Sequence, residues 1–124
     1  MPKNILDVGN CDPDHGSICR LLQNNFDVNV VRTHGMDDAI AALGERTFDL
    51  ILVNRLMDRD GASGLAIIER IKGDSEFGST PVMMITNFAE HQEYAAAAGA
   101  EAGFGKAELG DAATLERLRP FLGT

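Results

Sequence analysis

The sequence predicts a doubly wound α/β fold, five parallel strands alternating with five helices that cover both faces of the sheet. Two observations carry this. Short apolar runs alternate with stretches of helical periodicity along the chain, the pattern of βαβ units with right-handed crossovers. Two of those runs, Leu50-Ile51-Leu52-Val53 and Val82-Met83-Met84-Ile85, are apolar without interruption, as expected of strands buried on both faces.

The elements follow in order. Ile5, Leu6 and Val8 mark the first strand, with Asp7 inside it. Asp12-Pro13 reads as an N-cap followed by proline at the first helical position. Ile18, Leu21 and Leu22 give that helix its apolar stripe. Residues 26–31 carry β-branched residues at period two, Val28 and Val30 sharing a face. Met36, Ile40 and Leu43 lie on one stripe of a second helix, and Leu65, Ile67, Ile68 and Ile71 mark the third. Residues 88–98 predict a fourth helix, closed by Gly99. Residues 103–105 are a short fifth strand candidate. Asp111 caps a last helix running through Leu115, Leu118, Phe121 and Leu122.

Composition narrows the function classes. The chain has 124 residues, 44% of them hydrophobic, which suits one domain over residues 1–124 with a real core and no separate output domain. Eleven basic residues against 19 acidic ones give a net charge of -8. That balance argues against nucleic acid or an anionic membrane as partner, since both need positive potential. No apolar stretch approaches the ~18 residues of a membrane span. Nothing at the N-terminus reads as a signal peptide, and the two cysteines, Cys11 and Cys19, lack metal-ligand spacing. The expectation is a cytosolic protein with reduced thiols.

In sheets of this kind, sites form beyond the carboxyl ends of the strands, near the topological switch point. Those ends carry Asn10-Cys11, Asn54, Thr86-Asn87 and Lys106.

Three segments around these residues carry a family resemblance. They are Phe48-Asp49-Leu50-Ile51-Leu52-Val53-Asn54, then Pro81 to Thr86, then Ala98 to Lys106. In order and spacing they resemble the CheY-like response-regulator receiver, over nearly the whole chain. The resemblance implies a flavodoxin-like three-layer sandwich with strand order 2-1-3-4-5. Receivers carry an acidic pair after the first strand, a phosphoacceptor Asp after the third, Thr or Ser after the fourth and Lys after the fifth. By that pattern Asn54 stands at a degenerate phosphoacceptor position, and Asn10 and Cys11 at degenerate acidic-pair positions. Thr86 and Lys106 are the retained pocket residues.

These replacements bear on the chemistry the resemblance implies. Mg²⁺ is a hard cation that takes anionic oxygens in near-octahedral geometry. An amide is a neutral, weaker ligand and a thiol a soft mismatch. An amide is also no nucleophile for an acyl phosphate. The Mg²⁺ site and aspartyl phosphorylation at residue 54 are therefore expected to be lost, leaving no cofactor and no enzymatic role. Thr86 is then expected either to cap a turn or to serve a retained anion site. Lys106 is expected to bond the Asn10 or Asn54 side chain or a carbonyl, or to serve that same site.

Further departures lie nearby. Ala107 follows Lys106 where receivers carry proline, and Gly103 occupies the aromatic switch position. Gly64 matches the glycine that opens the third helix, and Asp58 takes the place of a customary proline. Asp58 and Asp60 are interleaved with Arg55 and Arg59, which suggests local ion pairs on a solvated loop. Asp7, Asp12, Asp14, Asp58 and Asp60 lie near the site in sequence. Asp12 and Asp58 are the weak candidates for a rebuilt metal site. A P-loop pattern fails at Ala100 and Ala107, and the three histidines show no zinc spacing. Cys11 reads first as a small residue filling the place of a carboxylate.

The leading expectation is a phosphorylation-independent signalling module that acts on a protein partner. It would be a monomer or a weak homodimer through the face of the fourth helix, fifth strand and fifth helix, where Tyr94, Leu109 and Arg117 lie. One alternative is a working phosphorelay receiver using a nearby Asp or deamidated Asn54. The other is a small-ligand or redox sensor built on Asn10, Cys11, Asn54 and Lys106.

Overall fold

A computed structural model describes residues 2–123. The elements run β1 (Lys3–Val8), α1 (Asp12–Asn25), β2 (Val28–Thr33), α2 (Met36–Glu45), β3 (Leu50–Asn54) and α3 (Gly64–Lys72). Then follow β4 (Val82–Ile85), α4 (Ala89–Ala97), β5 (Glu101–Phe104), a 3₁₀ turn at Lys106–Glu108, and α5 (Ala112–Leu122). The five strands form one parallel sheet in the order β2-β1-β3-β4-β5, as the sequence predicts.

Alternation along the strands separates two apolar layers. Leu50 and Leu52 of β3, with Met83 and Ile85 of β4, pack with Ile18 and Leu22 of α1 and Leu118 and Leu122 of α5. Ile51, Val53, Val82 and Met84 point the other way, onto Leu43 of α2, Ile67, Ile68 and Ile71 of α3, and Ala95 of α4. Both faces of β3 and β4 are thus covered, which is why their sequences are apolar throughout.

Several ends differ from the sequence reading. The N-cap of α1 is Cys11, and Asp12 is the first helical residue. Asp12 instead places its carboxylate 2.7 Å from Arg32 Nη2, an exposed ion pair. β2 begins at Val28 and continues to Thr33. β5 begins at Glu101, earlier than expected, because a register shift opposite Met83 and Ile85 lets its first residues pair. Asp111 does occupy the α5 N-cap, without a side-chain cap bond. Gly99, at φ 103°, closes α4 as expected.

The glycine that opens α3 has a steric reason. A Cβ on Gly64 would run into the Asn54 and Arg55 carbonyl oxygens. Ser63 caps the helix, its hydroxyl accepting the Ala66 N–H at 3.2 Å. Close approach at residue 64 thereby fixes where β3 ends and where Asn54 stands.

Candidate functional site

The carboxyl edge of the sheet carries the five predicted residues, but their side chains divide into two groups. Asn54, Thr86 and Lys106 line a small cleft of about 230 Å³ together with Arg55, Asn87 and Phe88. Asn10 and Cys11 turn away toward α1.

Asn10 is buried, and its amide donates to Asp7 Oδ1 at 2.5 Å. The other Asp7 oxygen meets His15 Nδ1 at 2.5 Å. Asp7 is 0% exposed. It shares the β1 face of Ile5, the face that packs on α1, so the first turns of that helix can supply a partner. A buried carboxylate needs hydrogen bonds to be tolerated, and the Asn10 amide and the His15 ring nitrogen stand in place to supply them. Asp7 is thus fully buried and partnered. Among the described residues, Asn10 Oδ1 has no hydrogen-bond partner. Arg32 spans the same loop from β2, donating to the Asn10 carbonyl at 3.0 Å while pairing with Asp12.

Lys106 does not reach Asn10 or Asn54. Its ammonium lies 2.6 Å from Asp14 Oδ2, and the Cys11 thiol donates to the same oxygen at 3.0 Å. A carboxylate is a stronger partner for an ammonium than an amide. Lys106 first, then Cys11, hold the Asp14 carboxyl below its ordinary range. Cys11 accordingly serves as a donor to Asp14. The second thiol, Cys19, lies 3.4 Å from His15 Nε2. Burial, then the Asp7 charge, push that thiol upward, away from thiolate character.

The Asn54 amide donates to the Leu56 carbonyl at 2.7 Å and, more weakly, to the Gly9 carbonyl at 3.5 Å. It is spent on closing the turn after β3. Thr86 accepts the Phe88 N–H at 3.2 Å, the turn-capping role anticipated for it. The expected ion pairs of the β3–α3 loop do not form. Arg55 stacks over the Phe88 ring, 5.3 Å from its centroid. Asp58 faces His34 at 3.5 Å, and Asp60 accepts the Ala62 N–H of its own loop. Of the metal candidates, Asp12 is therefore engaged by Arg32, while Asp58 lies near His34 without a hydrogen bond to it. Among the described residues, no group of three His, Cys, Asp or Glu side chains is placed to hold a metal ion.

A second set of contacts replaces family features at β5. Residue 107 is alanine, so it keeps an N–H, and Asn87 Oδ1 accepts it at 3.0 Å. Gly105 makes room, since a Cβ there would strike Asn87. Gln92 reaches from α4 to both strands: its Nε2 donates to the Met84 carbonyl at 2.9 Å and its Oε1 accepts the Gly103 N–H at 3.1 Å. Arg117 of α5 donates to the Gly103 carbonyl at 3.0 Å. Tyr94 is exposed, whereas Leu109 packs into the layer beneath α1 and α5.

The sequence reading missed His15, Arg32 and Gln92 as site-forming residues, and named Asn87 and Asp14 without their roles. Only Asp14 and His15 left a signal: polar residues in the first turns of α1, above a strand with an embedded Asp.

The response regulator receiver domain family matches residues 12–106. Solved structures agree. Chemotaxis response regulator CheY4 of Vibrio cholerae superposes with a TM-score of 0.76 at 20% identity, over 98% of this chain and 100% of that one. The receiver domain of sensor histidine kinase PA1611 from Pseudomonas aeruginosa, which holds a magnesium ion in its active-site cleft, gives 0.74 at 17% identity over 100% of both chains. NtrX from Brucella abortus gives 0.72 at 22% identity, over 94% of this chain and 27% of that one. No curated protein matches significantly. The chain belongs to the response regulator receiver domain family.

Proposed function

We propose that this receiver works by protein–protein contact, without phosphorylation at residue 54, without Mg²⁺ and without catalysing a reaction of its own. The observation that carries this is the Asp14–Lys106 pair together with the commitment of the Asn54 amide. Lys106, the cation that would steady an incoming phosphoryl group, already has a carboxylate at 2.6 Å. Asn54 offers a neutral amide spent on the Leu56 carbonyl. Asn10 and Cys11 add an amide bound to Asp7 and a thiol bound to Asp14. Such a donor set does not fit a hard divalent cation that wants anionic oxygens. The acidic net charge of -8 and the half-exposed aromatic residues Phe88 and Tyr94 on one side of the domain support a protein as the partner.

The test is incubation with Mg²⁺ and a small-molecule phosphodonor, followed by intact mass measurement of the native chain and of Asn54→Asp. Both are expected to stay unmodified, because Asn10 and Cys11 remain in each. A stoichiometric phosphoryl adduct on the native chain overturns the proposal. An adduct on Asn54→Asp alone overturns the part assigned to Asn10 and Cys11.

A further inference from the structure

The two thiols of the chain are both free and both half-buried, yet they face opposite chemistry. Cys11 donates to Asp14 Oδ2 at 3.0 Å, an oxygen that also meets Lys106 at 2.6 Å. That carboxyl is held below its ordinary range, by Lys106 first, so it is a poor proton acceptor. Cys19 sits one helical turn beyond His15 on α1, its sulfur 3.4 Å from Nε2 and 3.9 Å from Nδ1. Nδ1 is engaged by Asp7 Oδ2 at 2.5 Å. A carboxylate only accepts, so Nδ1 carries the ring hydrogen and Nε2 keeps its lone pair. Thiol, imidazole and buried carboxylate thus stand in the order of nucleophile, base and orienting group.

The surroundings of Cys19 hold its proton in place at rest. Burial does most of this, the Asp7 charge adds to it, and Arg32 opposes both more weakly. A thiol of raised pKa is scarcely ionised near neutrality, but its sulfur is the stronger nucleophile once the proton leaves. Such a group gains most from a base held beside it. Cys11 has a carboxylate there instead.

We infer that Cys19 is a reversible modification site that forms a mixed disulfide with a small uncharged disulfide, with His15 as its base and Asp7 as the positioning residue. The thiol proton passes to His15 Nε2 as Sγ attacks one sulfur of the reagent. A new S–S bond forms, the old one breaks, and the departing thiolate takes the proton back from Nε2. One thiol and one disulfide enter, one mixed disulfide and one thiol leave, and the small disulfide is the only oxidant. The net charge of -8 disfavours an anionic reagent. This site stands independently of the protein-contact reading above.

The probe is hydroxyethyl disulfide, with adduct formation followed by intact mass and reversed with dithiothreitol. Cys11→Ser and Cys19→Ser leave one thiol each, so the two rates are read separately. Cys19 is expected to react about tenfold or more faster than Cys11 near neutrality. Just above neutrality its rate should change little with pH, while the Cys11 rate climbs about tenfold per pH unit with its thiolate fraction. His15→Gln, whose amide still donates to Asp7 but takes no proton, should lower the ratio of the Cys19 rate to the Cys11 rate about tenfold and give Cys19 the same steep climb. Asp7→Asn accepts from Asn10 and donates to the ring, which moves the ring hydrogen to Nε2, and should lower the ratio as well. A general loosening of the fold speeds both thiols and leaves the ratio alone. The inference is overturned by a native chain that takes no adduct, by Cys11 reacting as fast as Cys19, or by a ratio indifferent to both His15→Gln and Asp7→Asn.

Discussion

Removing the His15 side chain tests whether the Asp7 cluster supports the fold. Asp7 is fully buried on β1, flanked in register by Arg32 of β2 and Leu52 of β3. His15 and the Asn10 amide are its two side-chain partners, each at 2.5 Å. In His15→Ala the carboxylate keeps the amide and loses the imidazole. Leaving a buried acceptor short of a hydrogen bond costs about 1–3 kcal/mol, and more where the acceptor is charged. The His15 side chain is 22% exposed, so water can enter the vacated space, and about 2–3 kcal/mol is the better expectation. A domain of this size has about 6–18 kcal/mol in total, so the variant folds but melts roughly 8–15 °C lower. The triple change Asp7→Leu, Asn10→Ala and His15→Leu removes the carboxylate together with both side-chain partners and should recover most of the loss. Urea denaturation followed by circular dichroism measures all three. A loss under about 0.5 kcal/mol for His15→Ala, or a triple variant less stable than the single one, would refute the account of Asp7 as a buried group held by its partners.

Two further outcomes follow from contacts described above. Gln92→Ala should cost about 2–3 kcal/mol, because it strands the Gly103 N–H and loses the Met84 carbonyl contact, and hydrogen exchange at Gly103 should quicken; unchanged protection there would show that the clamp holds nothing. The Asp14–Lys106 pair makes stability depend on pH with a definite sign. The folded-state pKa of Asp14 lies below the ordinary 3.8, so its contribution is present above that value and is lost as pH falls through the lower folded one. Native protein and Asp14→Asn should therefore differ in urea midpoint near neutrality and converge in strong acid, and a gap of constant size across the titration contradicts the pairing.

Most of the architecture was legible in the sequence because buried parallel strands leave an unambiguous trace. Nothing but a strand covered on both faces explains Leu50 to Val53 between two helical periods. The strand-end residues were legible for the same reason, since the topology places strand ends together whatever their side chains. What those side chains touch was not legible. Lys106 pairs with Asp14 across more than ninety positions of sequence, and no local pattern marks that choice over Asn54. Asp12 looked like a cap because Asp-Pro usually is one, but its carboxylate pairs with Arg32 of β2, a neighbour that only the fold brings near. Gln92 lies in a helix with almost no apolar stripe, so nothing in the spacing marks the side chain that ties two strands together.

The grip on the Gly103 peptide bears on what kind of message this domain can carry. A device that reports by changing shape needs two arrangements of comparable free energy, and a ligand can tilt the balance only by preferring one of them. A peptide held from above by α4 and from the side by α5 favours one arrangement. On the reading proposed above, a partner on that face would meet one contour, and the information would reside in quantity: how much of the domain is present, measured against the affinity of its partner, would set the output.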